Sequence, residues 1–420
     1  MKTAIMKARI WKKRSLEEMK ARVFSALEQN VNYHESSVLG VPASYLDDKV
    51  FNQDASFVKD APWISTLIQN PNHIGCHTLG KSESFFKGTQ EIEKELIEMC
   101  AVDILGAEEG SCDGYVASGG TEANMQAIWV YRNYFMEEFG ARKDEIMILC
   151  TADSHYSINK AANILGVDIL KVKVDEKTRV VNQTDLMEGL REAEESGKKY
   201  AILVCNMMTT MFGSVDDLSP FLNELKQTNF EYKVHIDGAY GGFYHPFTEG
   251  EKQLNFTHPE VSSVTLDAHK MARAPYGTGI FLMRKGLIQY TNTQEASYVE
   301  GEDFTLIGSR SGANAVAVWM ILSQTGPYGW QEKVFVLQKR TAWFCNELDA
   351  LEIPYFRHPD SNIVTIDARF VTEDQAKKYG LVPDNHHAPR WFKVVIMEHV
   401  TLERLEPLLE ELNSSVVLEK

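Results

Sequence analysis

The chain has 420 residues, of which 44% are hydrophobic and 24% charged, a balance typical of a folded globular protein rather than a disordered or fibrous one. Its formal net charge of −16 at pH 7 repels nucleic-acid phosphates and anionic membranes, so neither is an expected partner. The basic first residues are not followed by the apolar run of a signal peptide, and no apolar stretch is long enough to span a bilayer.

The six cysteines show neither CxxC spacing nor clustering with histidine: Cys76, Cys100, Cys112, Cys150, Cys205 and Cys345. Several of them lie in apolar runs, which is typical of reduced, buried thiols. We therefore expect a cytoplasmic protein with neither disulfides nor a metal site.

Three zones are predicted along the chain. Residues 1–70 form an N-terminal segment with one helix over residues 15–30. Residues 71–312 alternate short apolar runs with amphipathic ones, and the runs predict strands at 115–117, 146–150, 168–172, 201–205, 234–236, 262–266 and 279–283. Residues 313–420 carry a helix over 330–351, strands at 362–366 and 392–397 and a last helix, which predicts a small α/β domain.

Strands that alternate with helices predict an α/β fold, in which helices cover both faces of a mainly parallel sheet. Such sheets place their ligand sites at the carboxyl ends of the strands. Residues that follow the predicted strands are therefore the candidates for chemistry.

The first candidate is the sequence SGGTEAN at residues 118–124, which follows a strand and opens a helix. Gly119 and Gly120 would let bare backbone approach an anion, and the helix N-terminus and the hydroxyl of Thr121 would bind it. These features predict a phosphate-binding turn. An ordinary glycine-rich turn with a threonine cap is an equally good interpretation of this segment alone.

The second candidate is HIDGAYGG at residues 235–242, where Asp237 closes a short apolar strand. A carboxylate at this point could hold a pyridine nitrogen protonated and so make the ring an electron sink. Taken alone, a helix cap or an Asx turn would be the commoner role for such a residue.

The third candidate is LDAHKM at residues 266–271, which delivers His269 and Lys270 at the end of another apolar strand. A desolvated lysine there can form a Schiff base with an aldehyde cofactor. A single lysine is more often a solvated surface charge. The order of a phosphate-binding turn, an acidic strand end and a His-Lys pair, however, matches the needs of pyridoxal phosphate.

With these motifs the sequence resembles the group II pyridoxal-phosphate-dependent amino-acid decarboxylases, and it is most similar to their short archaeal L-tyrosine/L-aspartate branch. The resemblance also includes DSHYS at 153–157 and GSRSG at 308–312, and it covers most of the chain. It implies fold-type I, the fold of aspartate aminotransferase, with a seven-stranded sheet and a small C-terminal domain. It also implies pyridoxal 5′-phosphate as cofactor and a small-molecule L-amino acid, aromatic or acidic, as substrate.

The resemblance also implies a role for each cofactor residue. Lys270 would form the Schiff base, Asp237 would pair with the pyridine nitrogen, and Ala239 and His155 would contact the two faces of the ring. Without the resemblance, His155 could equally be a capping or core histidine. The phosphate would be bound by Gly119, Gly120, Thr121 and His269. Ser309 would reach the phosphate of a neighbouring subunit, which implies a homodimer with shared active sites.

Other residues follow less directly from the resemblance. Thr209 would reach the O3′ region of the cofactor, with Met208 narrowing the pocket beside it, and residues around His77 would line the substrate pocket. The substrate carboxylate would pair with Lys393, where the family tends to carry arginine, or with Arg390. Tyr298 is the candidate proton donor to Cα, and Tyr290 is the second choice.

Two alternatives to decarboxylation stay open at this stage. A carbon–carbon lyase of the sphingosine-phosphate type shares the Asp-x-His-Lys and Gly-Ser-Arg features. A catalytically dead homologue could serve as a scaffold. Assays for carbon dioxide and aldehyde would separate the lyase from the decarboxylase, and a cofactor absorbance band that responds to amino acids would exclude the scaffold.

Overall fold

The computed structural model describes residues 37, 39–40, 47–51, 72–79, 87–248, 250, 254–291 and 302–419. The helix predicted over residues 15–30 and the candidate proton donor Tyr298 lie outside the described residues.

The strands are β1 (Asn72–Ile74), β2 (Cys112–Ala117), β3 (Ile146–Thr151), β4 (Asp168–Val172), β5 (Tyr200–Asn206), β6 (Glu231–Gly238), β7 (Val261–Asp267), β8 (Gly279–Arg284), β9 (Ser309–Ser311), β10 (Tyr355–Phe356), β11 (Ile363–Asp367), β12 (Val382–Pro383) and β13 (Trp391–Val395). The α-helices are α1 (Asp48–Phe51), α2 (Lys87–Glu98), α3 (Gly120–Phe139), α4 (Tyr156–Leu165), α5 (Gln183–Glu195), α6 (Leu218–Leu225), α7 (Gly312–Ala350), α8 (Glu373–Lys378) and α9 (Leu402–Glu419). A π-helical turn (Met99–Ile104) continues α2.

The main sheet has seven strands in the order β2-β8-β7-β6-β5-β3-β4. All seven strands predicted from the apolar runs are present. β8 pairs antiparallel with both β2 and β7, and the other neighbours are parallel. The predicted mainly parallel sheet of fold-type I is therefore confirmed.

The central strands are continuous apolar runs because both faces of the sheet are covered. Ile202, Leu203 and Val204 of β5 are fully buried, for example. Burial of each such side chain contributes about 1.5–3 kcal/mol relative to exposure. Helix α3 packs against β7 and β8 and ends at Gly140, whose φ of 65° is the left-handed conformation that glycine adopts readily.

A second sheet is antiparallel, in the order β10-β11-β13-β12. It forms the small C-terminal α/β unit with α8 and α9, and the helix α7 precedes it in the chain. α7 is broken at Gly326, whose backbone is non-helical and which is followed by Pro327. The domain boundaries after residues 70 and 312 stay a prediction.

A short antiparallel ribbon of β1 and β9 pairs Ile74 with Ser309. This ribbon joins two segments that are far apart in the chain and brings the GSRSG motif beside the end of β2. Among the described residues, no helix is long and apolar enough to cross a membrane.

Candidate active site

The candidate residues gather at one edge of the main sheet. Because β2, β5, β6 and β7 run in the same direction, their carboxyl ends meet there. Residues 118–121 follow β2 and lead into α3, and Asp237 is the next-to-last residue of β6. Asp267 ends β7 just before His269 and Lys270. Three motifs that are widely separated in the sequence therefore form one site.

The turn after β2 is shaped for an anion. Gly119 has φ 141° and precedes α3, and no side chain among the described residues caps this helix. A Cβ atom on Gly120 would lie 3.0 Å from both the Cβ of Ala239 and the Oδ2 of Asp267, so only glycine fits without a shift. The N-terminus of a 20-residue helix with bare backbone in front of it is a ready anion site.

Lys270 lies beside the buried carboxylate of Asp267. Its Nζ is 3.3 Å from Oδ2 of Asp267, and its side chain is 24% exposed. The other carboxylate oxygen of Asp267 is 3.0 Å from Nδ1 of His269. Asp267 thus lies within ion-pair distance of both residues of the His-Lys pair. The ring of His269 lies against that of Tyr276 at an interplanar angle of 32°, with centroids 4.8 Å apart.

Asp237 is buried, and its carboxylate accepts hydrogen bonds from groups on two elements. Oδ2 accepts from Nδ2 of Asn124 at 2.8 Å, and Oδ1 accepts from the backbone N–H of Ala239 at 3.1 Å. Two donors on separate elements thus fix the orientation of the carboxylate. Such a carboxylate can pair with a protonated ring nitrogen.

His155 is the N-cap of α4, and its Nδ1 accepts the backbone N–H of Ser157. Burial lowers the pKa of His155, and the charge of Lys270 acts in the same direction, while the charges of Asp237 and Asp267 oppose it. The imidazole is therefore neutral at pH 7. His155 thus caps α4 and also lies near the charged residues of the site.

Lys393 and Arg390 differ in burial and in their partners. Lys393 on β13 is buried and donates to the carbonyl oxygen of Thr210 at 3.0 Å. Burial lowers its pKa to about 8, and the charge of Lys270 contributes, so these two ammonium groups are neighbours. Arg390 is exposed and pairs with Glu176 at 2.7 Å. Of the two cations, Lys393 is the buried one, and its pairing with the substrate carboxylate stays a prediction.

Thr209 follows β5, but its hydroxyl is bonded within its own loop. Its Oγ1 lies 2.7 Å from Oγ of Ser214 and also accepts the backbone N–H of Ser214. The preceding residue, Met208, has φ 72°, which is strained for a non-glycine residue. Contact of Thr209 with the cofactor stays a prediction.

Ser309 is exposed on β9, because its neighbour Arg310 is held inside the protein. Arg310 pairs with Glu93 at 2.5 Å and donates to the carbonyl oxygens of Gly75 and Val116. The anchored arginine aligns β9 so that Ser309 and Ser311 point to the surface.

Three further residues predicted from the sequence are His77, Thr121 and Tyr290, and the structure shows fewer contacts for them at the site. His77 lies in a short 3₁₀ helix (His77–Leu79) beside the β1–β9 ribbon, and its side chain is outside the described residues. Thr121 is half-buried in the first turn of α3.

The hydroxyl of Tyr290 donates to Glu138 at the far end of α3. The 18 residues of helix between Gly120 and Glu138 correspond to about 27 Å. Tyr290 therefore lies far from the anion-binding turn of its own subunit, and its role as the second-choice proton donor stays a prediction.

Comparisons with known proteins agree with this geometry. The family described as "Pyridoxal-dependent decarboxylase conserved domain" matches residues 73–356. The chain belongs to this family.

Among its relatives is a tryptophan decarboxylase of Clostridium sporogenes, which is 49% identical over 405 residues, 96% of this chain and 97% of that protein. A probable L-tyrosine/L-aspartate decarboxylase of Methanosarcina barkeri is 30% identical over 390 residues, 88% of this chain and 95% of that protein. The solved structure of a sphingosine-1-phosphate lyase of Burkholderia pseudomallei superposes with a TM-score of 0.77 at 18% identity, covering 99% of this chain and 93% of that one. At that identity the likeness shows the fold alone.

The protein is thus a pyridoxal-phosphate-dependent amino-acid decarboxylase, as the motifs predicted. The site fits the cofactor. The turn at Gly119 and Gly120, which has no side chains, suits the phosphate of the cofactor. Asp237, which accepts two hydrogen bonds, suits its pyridine nitrogen, and Lys270 suits its aldehyde.

Two positions of the site were not assigned a role from the sequence. Asp267 has a local signal, since an Asp-x-His-Lys spacing after a strand brings the carboxylate back to the lysine three residues later. Asn124 has none, because its partner Asp237 is 113 residues away.

Proposed function

We propose that this decarboxylase acts on an aromatic L-amino acid, with tryptophan as the first candidate. The observation that carries the proposal is the 49% identity to the tryptophan decarboxylase over nearly the whole of both chains. The relative named for tyrosine and aspartate is 30% identical.

The surroundings of Lys393 support an aromatic side chain. Trp391 shares the face of β13 with Lys393, since residues two apart on a strand point the same way. Phe212 packs edge-on against Trp391 and Phe356, with centroids 6.3 and 5.9 Å away. Arg179 also belongs to this cluster, where its guanidinium lies over the ring of Phe212. It is already paired with Asp153 at 2.5 Å, so it does not offer its charge to an acidic substrate.

Each candidate residue then has a task. Bound pyridoxal phosphate supplies the electron sink for the bond between Cα and the carboxylate. Lys270 binds the cofactor aldehyde, and the residues of the turn, Gly119, Gly120 and Thr121, bind its phosphate together with His269. Asp237 holds the proton on the pyridine nitrogen, while Ala239 and the neutral ring of His155 contact the ring faces.

Lys393 would bind the substrate carboxylate before it leaves as carbon dioxide. It is a buried ammonium that lacks a carboxylate partner among the described residues and donates to a carbonyl oxygen instead. An incoming carboxylate would offset its desolvation. A proton must afterwards reach Cα, and Tyr298 remains our proposed donor.

We also propose a homodimer with shared sites in a reducing, cytoplasmic location. The outward position of Ser309 beside the exposed Leu306 and Ile307 supports a subunit contact. All six cysteines are unpaired and buried, which suits a reducing compartment. Sedimentation of the holoenzyme at about twice the chain mass would agree with a dimer, and sedimentation as a monomer would exclude it.

A substrate panel tests the proposed function. The holoenzyme is incubated with L-tryptophan, L-tyrosine, L-phenylalanine, L-aspartate and L-glutamate, and carbon dioxide and amine are both measured. Lys270→Ala with added cofactor is the control for non-enzymatic loss of carbon dioxide. We expect aromatic substrates to exceed acidic ones in kcat/KM by roughly tenfold or more. Preference for aspartate or glutamate would overturn the proposal.

A further inference from the structure

One side-chain amide, that of Asn124, joins three groups at the site. Asn124 lies in the first two turns of α3, just behind the anion-binding turn, and is 1% exposed. Its Nδ2 is 2.8 Å from Oδ2 of Asp237 and 3.0 Å from Oγ of Ser157. Its Oδ1 is 3.0 Å from Nε2 of His235. The amide thus uses both its donors and its acceptor on buried partners.

The directions of these hydrogen bonds follow from the chemistry of the partners. An ionised carboxylate only accepts, so the amide atom that faces Asp237 must be the nitrogen. The amide oxygen then faces His235, whose Nε2 must carry a hydrogen. Nδ1 of His235 accepts from Oγ of Ser263 at 2.7 Å, and that oxygen accepts from the hydroxyl of Tyr131 at 2.5 Å.

This chain of hydrogen bonds holds His235 as a neutral ring. His235 is fully buried, and burial lowers its pKa to about 4. With its tautomer fixed, the ring cannot turn to offer Asn124 a different partner. The amide of Asn124 is therefore held in one orientation by its hydrogen bond with His235.

The second donor of Asn124 supports one tautomer of His155 through Ser157. Oγ of Ser157 accepts from Asn124 and lies 2.9 Å from Nδ1 of His155, so its hydrogen is available for donation to that nitrogen. The same Nδ1 also accepts the backbone N–H of Ser157. A neutral imidazole whose Nδ1 accepts carries its hydrogen on Nε2. His155 therefore presents an N–H donor at its other edge.

We propose that Asn124 is a positioning residue of the decarboxylase, which orients the carboxylate of Asp237 and, through Ser157, fixes His155 in its Nε2–H tautomer. One amide would thus couple the residue that keeps the pyridine nitrogen protonated to the residue that contacts the face of the ring. This inference rests on the proposed roles of Asp237 and His155.

The first test measures cofactor binding, which does not depend on turnover. Asn124→Leu keeps the number and branching of the side-chain heavy atoms and removes both donors. The matched control is Gln126→Leu, which removes an equally buried amide of α3 that bonds to Thr291 and Phe304 instead. We expect the dissociation constant of pyridoxal phosphate to rise on the order of 10- to 100-fold in Asn124→Leu, because a hydrogen bond to a charged group is lost. In the control it should stay within about threefold.

The second test reads the tautomer of His155. Two-bond ¹H–¹⁵N correlation spectra of histidine-labelled holoenzyme distinguish the two neutral forms, and the signal of His155 is the one that disappears in His155→Phe. Wild-type protein should show hydrogen on Nε2. Ser157→Ala removes the hydroxyl at 2.9 Å from Nδ1 and leaves only the longer backbone N–H contact of 3.3 Å. It should leave cofactor affinity within about threefold, since Asn124 still donates to Asp237, but should lower the fraction of the Nε2–H tautomer.

The outcomes separate this inference from the function on which it rests. If Asp237→Asn weakens cofactor binding and Asn124→Leu behaves like Gln126→Leu, Asn124 is a packing residue and the inference is wrong. If Asp237→Asn itself leaves binding unchanged, the proposed role of Asp237 has failed. An unchanged Nε2–H signal in Ser157→Ala would refute the second arm. Should Asn124→Leu not fold, Asn124→Ala removes the same amide without adding volume, and the same result is expected.

Discussion

Replacing Lys393 by methionine is expected to weaken substrate binding and, at the same time, to stabilise the apoenzyme. Lys393 is buried on β13, and its ammonium is directed to a carbonyl oxygen in the neighbourhood of Lys270. Such a group is costly in the resting protein and useful only when a carboxylate arrives. Methionine keeps most of the length and removes the charge.

The magnitude follows from the pKa of Lys393, which burial lowers from 10.5 to about 8. At about 1.4 kcal/mol per tenfold change, the charged form is disfavoured by roughly 3 kcal/mol at pH 7. Lys393→Met removes this penalty. With an unfolding entropy of about 2.1 cal/mol/K per residue, the Tm of the apoenzyme should rise by about 3 °C. The lost contact with the substrate carboxylate should lower kcat/KM by roughly 10- to 100-fold, mainly through KM.

The same pKa predicts how activity and stability depend on pH. The ammonium is present below about pH 8 and is lost as the pH rises through that value, so kcat/KM should fall on the alkaline side. Between about pH 8 and 10.5 the unfolded state binds the extra proton, so wild-type stability should gain from this group as the pH rises. Neither effect should remain in Lys393→Met.

Steady-state kinetics and thermal unfolding of the apoenzyme measure both effects. Lys393→Arg is the matched control, because it keeps the charge at high pH and should move the alkaline fall upward while the titration of the substrate's own amine is unchanged. The reasoning is refuted if Lys393→Met keeps kcat/KM within about threefold of the wild type or lowers the Tm by several degrees.

Three further substitutions test the other assignments. Lys270→Ala should abolish turnover and remove the visible absorbance of bound cofactor; retained turnover with normal absorbance would contradict its role. Asp237→Asn should keep part of the cofactor and lose most of the activity, since a neutral amide cannot hold the pyridine nitrogen protonated; turnover near the wild-type rate would leave Asp237 as a turn residue only. Tyr298→Phe should keep normal cofactor absorbance while the products shift from amine towards aldehyde, because a slowed protonation at Cα leaves time for side reactions with oxygen. Amine formation at wild-type rate and purity would show that another group donates the proton.

The main sheet was predictable because its strands are buried on both faces. Runs such as 146–150 and 201–205 are apolar throughout, and the residues that end them are polar. The reversed direction of β8 was not predicted. Only the loop between Asp267 and Gly279 separates it from β7, too short for the helical crossover that a parallel pair needs.

The candidate site was predictable where its residues lie close to a strand end in sequence, as do Asp237, His269 and Lys270. Contacts between distant segments were not. Asn124 and Asp237 meet across 113 residues, and no periodicity in either segment indicates the other. Lys393 and Arg390 could not be separated from the sequence, since each is a cation near one strand. The structure separates them by burial and by partner, since Lys393 is buried whereas Arg390 is exposed and paired with Glu176.

The most direct test of the account is to locate the cofactor covalently. The holoenzyme is reduced with sodium borohydride and digested, and the peptides are mapped by mass spectrometry. Lys270 should carry the pyridoxyl group, and the reduced enzyme should no longer release carbon dioxide. A pyridoxyl group on Lys393, the neighbouring buried lysine, or on any other lysine would contradict the central assignment.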